Sequence, residues 1–290
     1  MPELPEVETI ARDLAASIVG ARVRSVWGSG FGLHLGRAVD LAGIRRVCAG
    51  RRIGAVRRKG KFLLVELEDA RAAARPEARP GLVIHLGMSG RLRVEEASAA
   101  RAPHTHVVLT LEGSRELRFV DPRRFGWMAP GAPLTARPEL AALGPDPLLE
   151  LDEAELERRL DGVRAPIKAF LLDQRRVAGL GNIYVSEALH RARIHPVTPA
   201  GRVRAQAGPL LAGIREALEL GIRNRGTTLR DYVDARGERG NNAAALRVYG
   251  REGEPCPVCT APIRRRVDAG RATFFCPKCQ RAPAARRPRR

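Results

Sequence analysis

The sequence predicts an α+β chain in several parts: a sandwich- or barrel-like β segment opened by one helix, then a helical segment, then a short hairpin framed by paired cysteines. Three observations predict it. Between residues 21 and 130, short apolar or alternating runs (62–67, 82–86, 107–111 and 117–120) recur between glycines and prolines, as strands of an antiparallel domain do. Beyond residue 150 the apolar spacing becomes three and four, over 153–160, 167–172, 183–191 and 210–222, which predicts helices. Near the end, Cys256-x2-Cys259 and Cys276-x2-Cys279 enclose two short runs, 263–267 and 272–275, on either side of Asp268-Ala269-Gly270, a hairpin turn.

In the opening helix Pro5 suits the first turn, Glu6 and Glu8 complement the helix dipole, and Val7, Ile10 and Leu14 recur at helical spacing up to a stop at Gly20. Residues 69–81 and 95–103, rich in Ala, Arg, Pro and Glu, read as exposed loops. The chain therefore divides into a β domain over 2–130, a Pro/Gly-punctuated linker over 131–150, a helical domain over 151–250, the cysteine hairpin over 251–280 and a basic tail over 281–290. The tail holds five Arg and two Pro and is expected to be disordered.

Charge narrows the partner. Lys and Arg total 51 against 32 Asp and Glu, a formal charge of +19, and such an excess calls for a polyanion. No apolar run approaches the ~18 residues of a membrane span, and the basic residues are dispersed along the chain, so nucleic acid is favoured over a lipid surface. An aromatic content of 4% argues against an RNA-stacking protein. The amino terminus lacks a basic stretch followed by an apolar core, so the expected location is the cytoplasm, on the nucleoid. In that reducing compartment the four knuckle cysteines, Cys256, Cys259, Cys276 and Cys279, imply one zinc ion rather than disulfides. Four protein thiolates leave no open position for water, so this zinc is structural. Cys48 stands alone and reads as a small buried apolar residue.

Several segments can carry chemistry. Initiator Met is normally trimmed before Pro, which would leave Pro2 with a free secondary amine. Such an amine attacking a sugar's anomeric carbon gives an iminium ion, an electron sink for elimination of neighbouring phosphates. Glu3 lies beside it as an acid or base, with Glu6 one turn away; first-turn acidic residues are also common in any helix. Asp121-Pro122-Arg123-Arg124-Phe125-Gly126 could push a planar side chain into a base stack, or be a solvated basic turn with Phe125 packed inward. Met88, in His85-Leu86-Gly87-Met88-Ser89-Gly90, could be a wedge or a core residue. Ala178-Gly179-Leu180-Gly181-Asn182 opens a helix whose free N–H groups, with the Asn182 amide, suit a phosphate; it equally suits a packing corner.

Together these segments resemble the formamidopyrimidine-DNA glycosylases, and the resemblance runs from Pro2 to Gln280. MPELPEVET, the basic cluster ending Lys59-Gly60-Lys61-Phe62, HLGMSG, DPRRFG, GLGNIYVSE, VYGR and the cysteine pattern occur in the family's order. The resemblance implies a β-sandwich domain, a helix-two-turn-helix domain and a zinc finger, with double-stranded DNA held between two lobes of a monomer. It implies excision of 8-oxoguanine and formamidopyrimidines through a Schiff base on Pro2, followed by β,δ-elimination. By motif match Pro2 is the nucleophile, Glu3 its acid/base, and Glu6 and Lys61 support the active site. His85, Tyr249, Asn182 and Arg271 contact DNA, with Asn182 and Arg271 clamping phosphates and Arg271 counted with the catalytic set. Met88, Arg123 and Phe125 fill the gap left by the extruded nucleotide, and Lys168 attends the damaged base. Leu4, Met88, Arg123 and Phe125 favour this branch over the endonuclease VIII-like enzymes, which act on oxidised pyrimidines. A non-catalytic DNA-binding protein is the alternative from another class. The chain departs from the family at residues 240–246, Gly-Asn-Asn-Ala-Ala-Ala-Leu, where an aromatic is usual, and in the tail after Gln280, where the arginines are expected to add phosphate contacts.

Overall fold

The computed structural model describes residues 1–34, 36–68, 79–230 and 232–283. Most of the 69–81 loop and of the basic tail thus lie outside the described residues. The chain forms two compact units, one of residues 1–142 with 221–243, the other of 143–220 with 244–290.

The first unit contains, in order, α1 (Leu4–Ile18), β1 (Val23–Gly28), α2 (Leu41–Cys48), β2 (Ile53–Lys59), β3 (Phe62–Leu67), β4 (Gly81–His85), β5 (Arg91–Glu96), β6 (Thr105–Leu111), β7 (Arg115–Val120), β8 (Trp127–Gly131) and the single turn α3 (Pro138–Ala141). Two antiparallel sheets, ordered β1-β6-β7-β5 and β2-β3-β4-β8, share one core. Every strand contributes apolar side chains to it, in strict alternation along β3, where Leu63, Val65 and Leu67 are all fully buried. The stripe Val7, Ile10, Leu14 and Ile18 of α1 joins the same core, and Arg58 of β2 ties α1 down through Glu8 at 2.9 Å.

The expectation of strands alone after Gly20 misses α2. Asp40 caps that helix by accepting the Gly43 N–H at 2.7 Å, and Ile44, Val47 and Cys48 form its buried face. The signal was present but short, eight residues inside a strand-rich stretch. Cys48 is fully buried, and burial pushes its thiol up to about 12, as befits an inert apolar filler.

The second unit carries α4 (Glu153–Leu160), α5 (Ile167–Leu172), α6 (Asn182–Arg191), most of α7 (Ala207–Arg223) and the hairpin of β9 (Arg264–Asp268) and β10 (Arg271–Phe275). Residues 221–243, assigned by sequence to the helical segment, pack with the first unit instead. The hairpin turn is tighter than expected: Arg271 pairs with Asp268, leaving Ala269 and Gly270 alone in the turn. Both have positive φ, 47° and 74°, as a twist-matched two-residue turn requires.

Candidate active site and nucleic-acid interface

At the head of α1, Met1 is exposed while Pro2, Glu3 and Glu6 are buried. Glu3 occupies the N-cap, and its N–H donates to Glu6 Oε2 at 2.8 Å. The other oxygen, Glu6 Oε1, accepts the Thr227 N–H at 2.7 Å. Two backbone donors thus hold one carboxylate, which the helix N-terminus also favours. Glu6 therefore connects the amino terminus to residues 224–242 of the same unit.

Lys61 follows Gly60 (φ 57°) in the turn from β2 to β3 and is buried at 7% exposure. His85, at the end of β4, stands in a row with Phe62 and Trp127 across β3-β4-β8, and its ring lies 5.1 Å from that of Phe62. Burial first, then the charges of Lys61 and His34, holds the His85 imidazole down at about 4. The neutral ring is useful here, because His85 Nδ1 accepts the Gly87 N–H at 3.1 Å and so fixes the start of the next loop.

That pKa predicts a pH dependence. Between pH 6.5 and about 4 the unfolded chain binds a proton that folded His85 refuses, so this residue's contribution to stability falls as pH drops through that window and is level above it. Its loss reaches at most roughly 3 kcal/mol. Denaturation midpoints at pH 7 and 4.5 should therefore differ less in His85→Asn than in the parent. Equal differences would reject the assignment.

Met88, Arg123 and Phe125 sit on two adjoining loops. Met88 is 44% exposed, so it is not a core residue; Phe125 is half-buried, with the Arg123 guanidinium 4.8 Å over its ring. The residue that organises both loops is Asp121, which is fully buried. Its Oδ1 accepts from Ser89 Oγ at 2.5 Å and from the Arg123 N–H at 3.2 Å, and its Oδ2 accepts the Gly126 N–H at 2.8 Å. Gly87 (φ 61°) lets the two backbones touch, since a Cβ there would lie 2.5 Å from Gly126 N. Sequence reasoning treated Asp121 only as part of a turn. An Asp that follows a strand and precedes Pro was the available signal.

In the second unit, Asn182 is the first residue of α6. Its Nδ2 donates to Ala272 O at 2.9 Å and to the Tyr249 hydroxyl at 3.5 Å, while its Oδ1 is buried without a partner among the described residues. Lys168 is buried, and its Nζ donates to Thr273 Oγ1 at 2.6 Å and to Ala272 O at 3.0 Å; Thr273 Oγ1 in turn donates to Asp268 Oδ2 at 2.6 Å. The structure thus brings Asn182, Lys168 and Tyr249 together on β10, with exposed Arg271 at that strand's start. A cavity of about 640 Å³ beside them is lined by Lys168, Leu172, Pro196, Val267 and Arg271. Tyr249 packs edge-on to Phe274 at 5.0 Å. Sequence reasoning missed Glu187, whose buried carboxylate accepts the N–H groups of Arg247, Val248 and Tyr249 at 2.9–3.0 Å. Those bonds present Tyr249, as Asp121 presents Phe125.

The sulfurs of Cys256, Cys259, Cys276 and Cys279 lie within 4.8 Å of one another. Four converging thiols around one small volume fit a single tetrahedral zinc ion. The surroundings fit as well: His190 Nε2 is 3.4 Å from Cys256 Sγ, placed to donate to a thiolate. Gln280 ties the second knuckle in place, accepting the Cys276 N–H at 2.9 Å and donating to Ile194 O at 2.8 Å.

Family models match the chain in three places: "Formamidopyrimidine-DNA glycosylase N-terminal domain" over residues 1–128, "Formamidopyrimidine-DNA glycosylase H2TH domain" over 143–233, and "Zinc finger found in FPG and IleRS" over 253–282. The formamidopyrimidine-DNA glycosylase of Methylococcus capsulatus is 44% identical over 286 residues, covering 97% of this chain and 100% of that one. Two solved complexes of Lactococcus lactis FPG are each 33% identical and cover 97% of this chain and 100% of theirs. One, of a mutant with Fapy-dG containing DNA, has a TM-score of 0.85, and the other, with abasic site containing DNA, 0.84. No helix among the described residues is long and apolar enough to cross a membrane.

Proposed function

This chain belongs to the formamidopyrimidine-DNA glycosylase family, and from that membership we propose that it is a base-excision repair enzyme removing oxidised purines from duplex DNA and then cutting the strand. The observation that carries the mechanism is the buried cluster of Pro2, Glu3 and Glu6 at the head of α1. Trimming of Met1 frees the Pro2 amine, which attacks the anomeric carbon as the bond to the damaged base breaks and the base leaves with a proton. Glu3 protonates the sugar ring oxygen, the ring opens, and the nitrogen lone pair forms the iminium. Loss of a proton from the adjacent carbon expels the 3′ phosphate, and a second elimination expels the 5′ phosphate. Glu6, held by Glu3 N and Thr227 N, orients this segment.

In this reading Lys61 contacts a phosphate near the lesion and assists catalysis, and His85, Asn182, Tyr249 and Arg271 bind DNA, Arg271 also counting with the catalytic set. Met88, Arg123 and Phe125 fill the extruded nucleotide's place, offsetting part of the few kcal/mol that extrusion costs. Lys168 is assigned to the damaged-base side, acting through β10, to which it is bonded. Zinc on the four cysteines would order the hairpin that carries Arg271. The protein acts as a monomer on the nucleoid.

The test is borohydride trapping on a duplex with 8-oxoguanine opposite cytosine, followed by mass mapping. An adduct on residue 2 of a chain lacking Met1 is expected. Absence of any adduct, with the duplex bound and with ring-opened and pyrimidine lesions also tried, would reject the enzyme reading in favour of a non-catalytic DNA-binding protein.

A further inference from the structure

Hydrogen bonds hold residues 224–228 against residues 240–242. Gly226 O accepts the Asn242 N–H at 3.1 Å, Asn224 O accepts the Asn241 N–H at 2.9 Å, and Thr228 Oγ1 accepts the Gly240 N–H at 2.9 Å. Gly240 lies so near the other strand of the loop that a Cβ would sit 2.2 Å from Gly226 O. Gly226 (φ 87°) is pressed on the far side against Tyr232 and Glu6, where a Cβ would come within 2.8 and 2.9 Å. Arg225 anchors the base by salt bridges to Asp13 and Asp234.

Inside this closure is a buried polar side chain that the chemistry above does not use. Asn242 is 2% exposed; its Nδ2 donates to Thr227 Oγ1 at 2.8 Å and its Oδ1 accepts from Asn224 Nδ2 at 3.1 Å. Thr227, itself 4% exposed, is the residue whose N–H holds Glu6 Oε1 at 2.7 Å. Glu6 Oε2 holds the Glu3 N–H at 2.8 Å, and that N–H belongs to the Pro2–Glu3 peptide. A continuous chain of hydrogen bonds therefore runs from Asn224 through Asn242, Thr227 and Glu6 to the peptide that aims the Pro2 ring.

We propose that Asn242 and Thr227 are positioning residues for the Pro2 amine, fixing its direction through Glu6. The proposal rests on the reading of Pro2 as nucleophile. The Asn242 amide fixes the Thr227 side chain through Oγ1, and the Asn242 N–H on Gly226 O fixes the peptide that carries the Thr227 N–H, so Asn242 holds this residue on both sides. Loosening Thr227 loosens one of the contacts that hold Glu6, and through Glu6 the Pro2–Glu3 peptide. Small misplacements of a nucleophile are expensive, because the reacting atoms must meet within about 3–3.5 Å and in line. Hydrogen bonding of Asn242 closes this loop where an apolar side chain could close it but could not direct Thr227.

The test uses the full chain with zinc and Met1 removed, and reads the single-turnover rate of borohydride-trapped adduct on an abasic-site duplex. Affinity is read separately, on a duplex carrying a reduced abasic analogue. Thr227→Val keeps the branched shape and deletes the acceptor; Asn242→Leu keeps the volume and deletes the bonds to Thr227 and Asn224; Thr227→Ser keeps the hydroxyl. Thr227→Val and Asn242→Leu are each expected to slow adduct formation about tenfold. The double variant should be no slower than the worse single one, Thr227→Ser should be near the parent rate, and affinity should stay within about twofold. Full rates in the two variants, additive losses in the double, or losses that merely follow affinity would overturn the proposal. Should Asn242→Leu not fold, the contrast of Thr227→Val with Thr227→Ser decides alone. A parent enzyme that forms no adduct would overturn the Pro2 reading and this proposal with it, whereas a trapping parent with unaffected variants overturns only the proposal.

Discussion

A chain in which a non-removable peptide precedes Pro2 is expected to form no borohydride-stable adduct, a loss of at least about 10³-fold in rate. An acylated proline nitrogen is an amide: its lone pair is delocalised into the carbonyl, it has no proton to exchange, and it cannot become an iminium. Glu3, Glu6 and Lys61 remain in place in such a chain, so its affinity for an abasic-site analogue should change little. The experiment therefore separates chemistry from binding. Pro2→Gly, trimmed to a free glycine amine, is expected to recover part of the rate, because a primary amine can still add to the sugar. Trapping at full rate by the acylated chain would exclude Pro2. A mass-mapped adduct on Lys61 would then move the nucleophile to the other buried amine of the same unit.

Removal of the metal is the second large effect. The hairpin of β9 and β10 has a very small core, in which Val248, Cys256, Ile263 and Cys276 are buried, and two of those four are proposed ligands. The faces of β9 are almost wholly exposed. Such a segment cannot offset its chain entropy by burial, whereas zinc on four thiolates contributes on the order of 10–16 kcal/mol to folding in isolated fingers. Stripping with a strong chelator is therefore expected to disorder residues 251–280 and weaken duplex binding by about 100-fold or more. The first unit owes nothing to these cysteines, so its core signal should persist. Metal analysis should find one zinc per chain in the parent and none in Cys276→Ser, while Cys48→Ala keeps its zinc. Unchanged binding after verified removal would show that the finger stands without its ion.

Much of the fold was legible because local pattern and tertiary role agree. β3, α4 and α5 begin and end where periodicity places them, since their apolar faces are the faces that the core buries. α2 was not, because eight residues within a strand-rich stretch give too few turns for the period to stand out. The return of residues 221–243 to the first unit was invisible as well. Nothing in the helical spacing of α7 indicates that the chain after it packs beside α1.

The candidate site divides along the same line. Pro2, Glu3 and Glu6 were singled out only through the resemblance, since a Met-Pro start and first-turn acids fit any helix, whereas the four cysteines were readable from their local spacing alone. Asp121, Glu187 and Asn242 were not, because each acts by bonding groups distant in the chain or by holding a loop whose shape the sequence does not state. Lys168 and Asn182 were expected to be functional positions, and only the fold reveals that both bond to Ala272 in β10. By itself, then, the sequence determined the paired cysteines and the short elements with a clear period, since both follow from local covalent and periodic constraints, and it named the other groups as candidates. Only the tertiary structure decided which buried polar atoms meet and so where each reactive group points. Hydrogen-bond partners are assigned by distance in space, and distance in space is set by the packing of the whole unit.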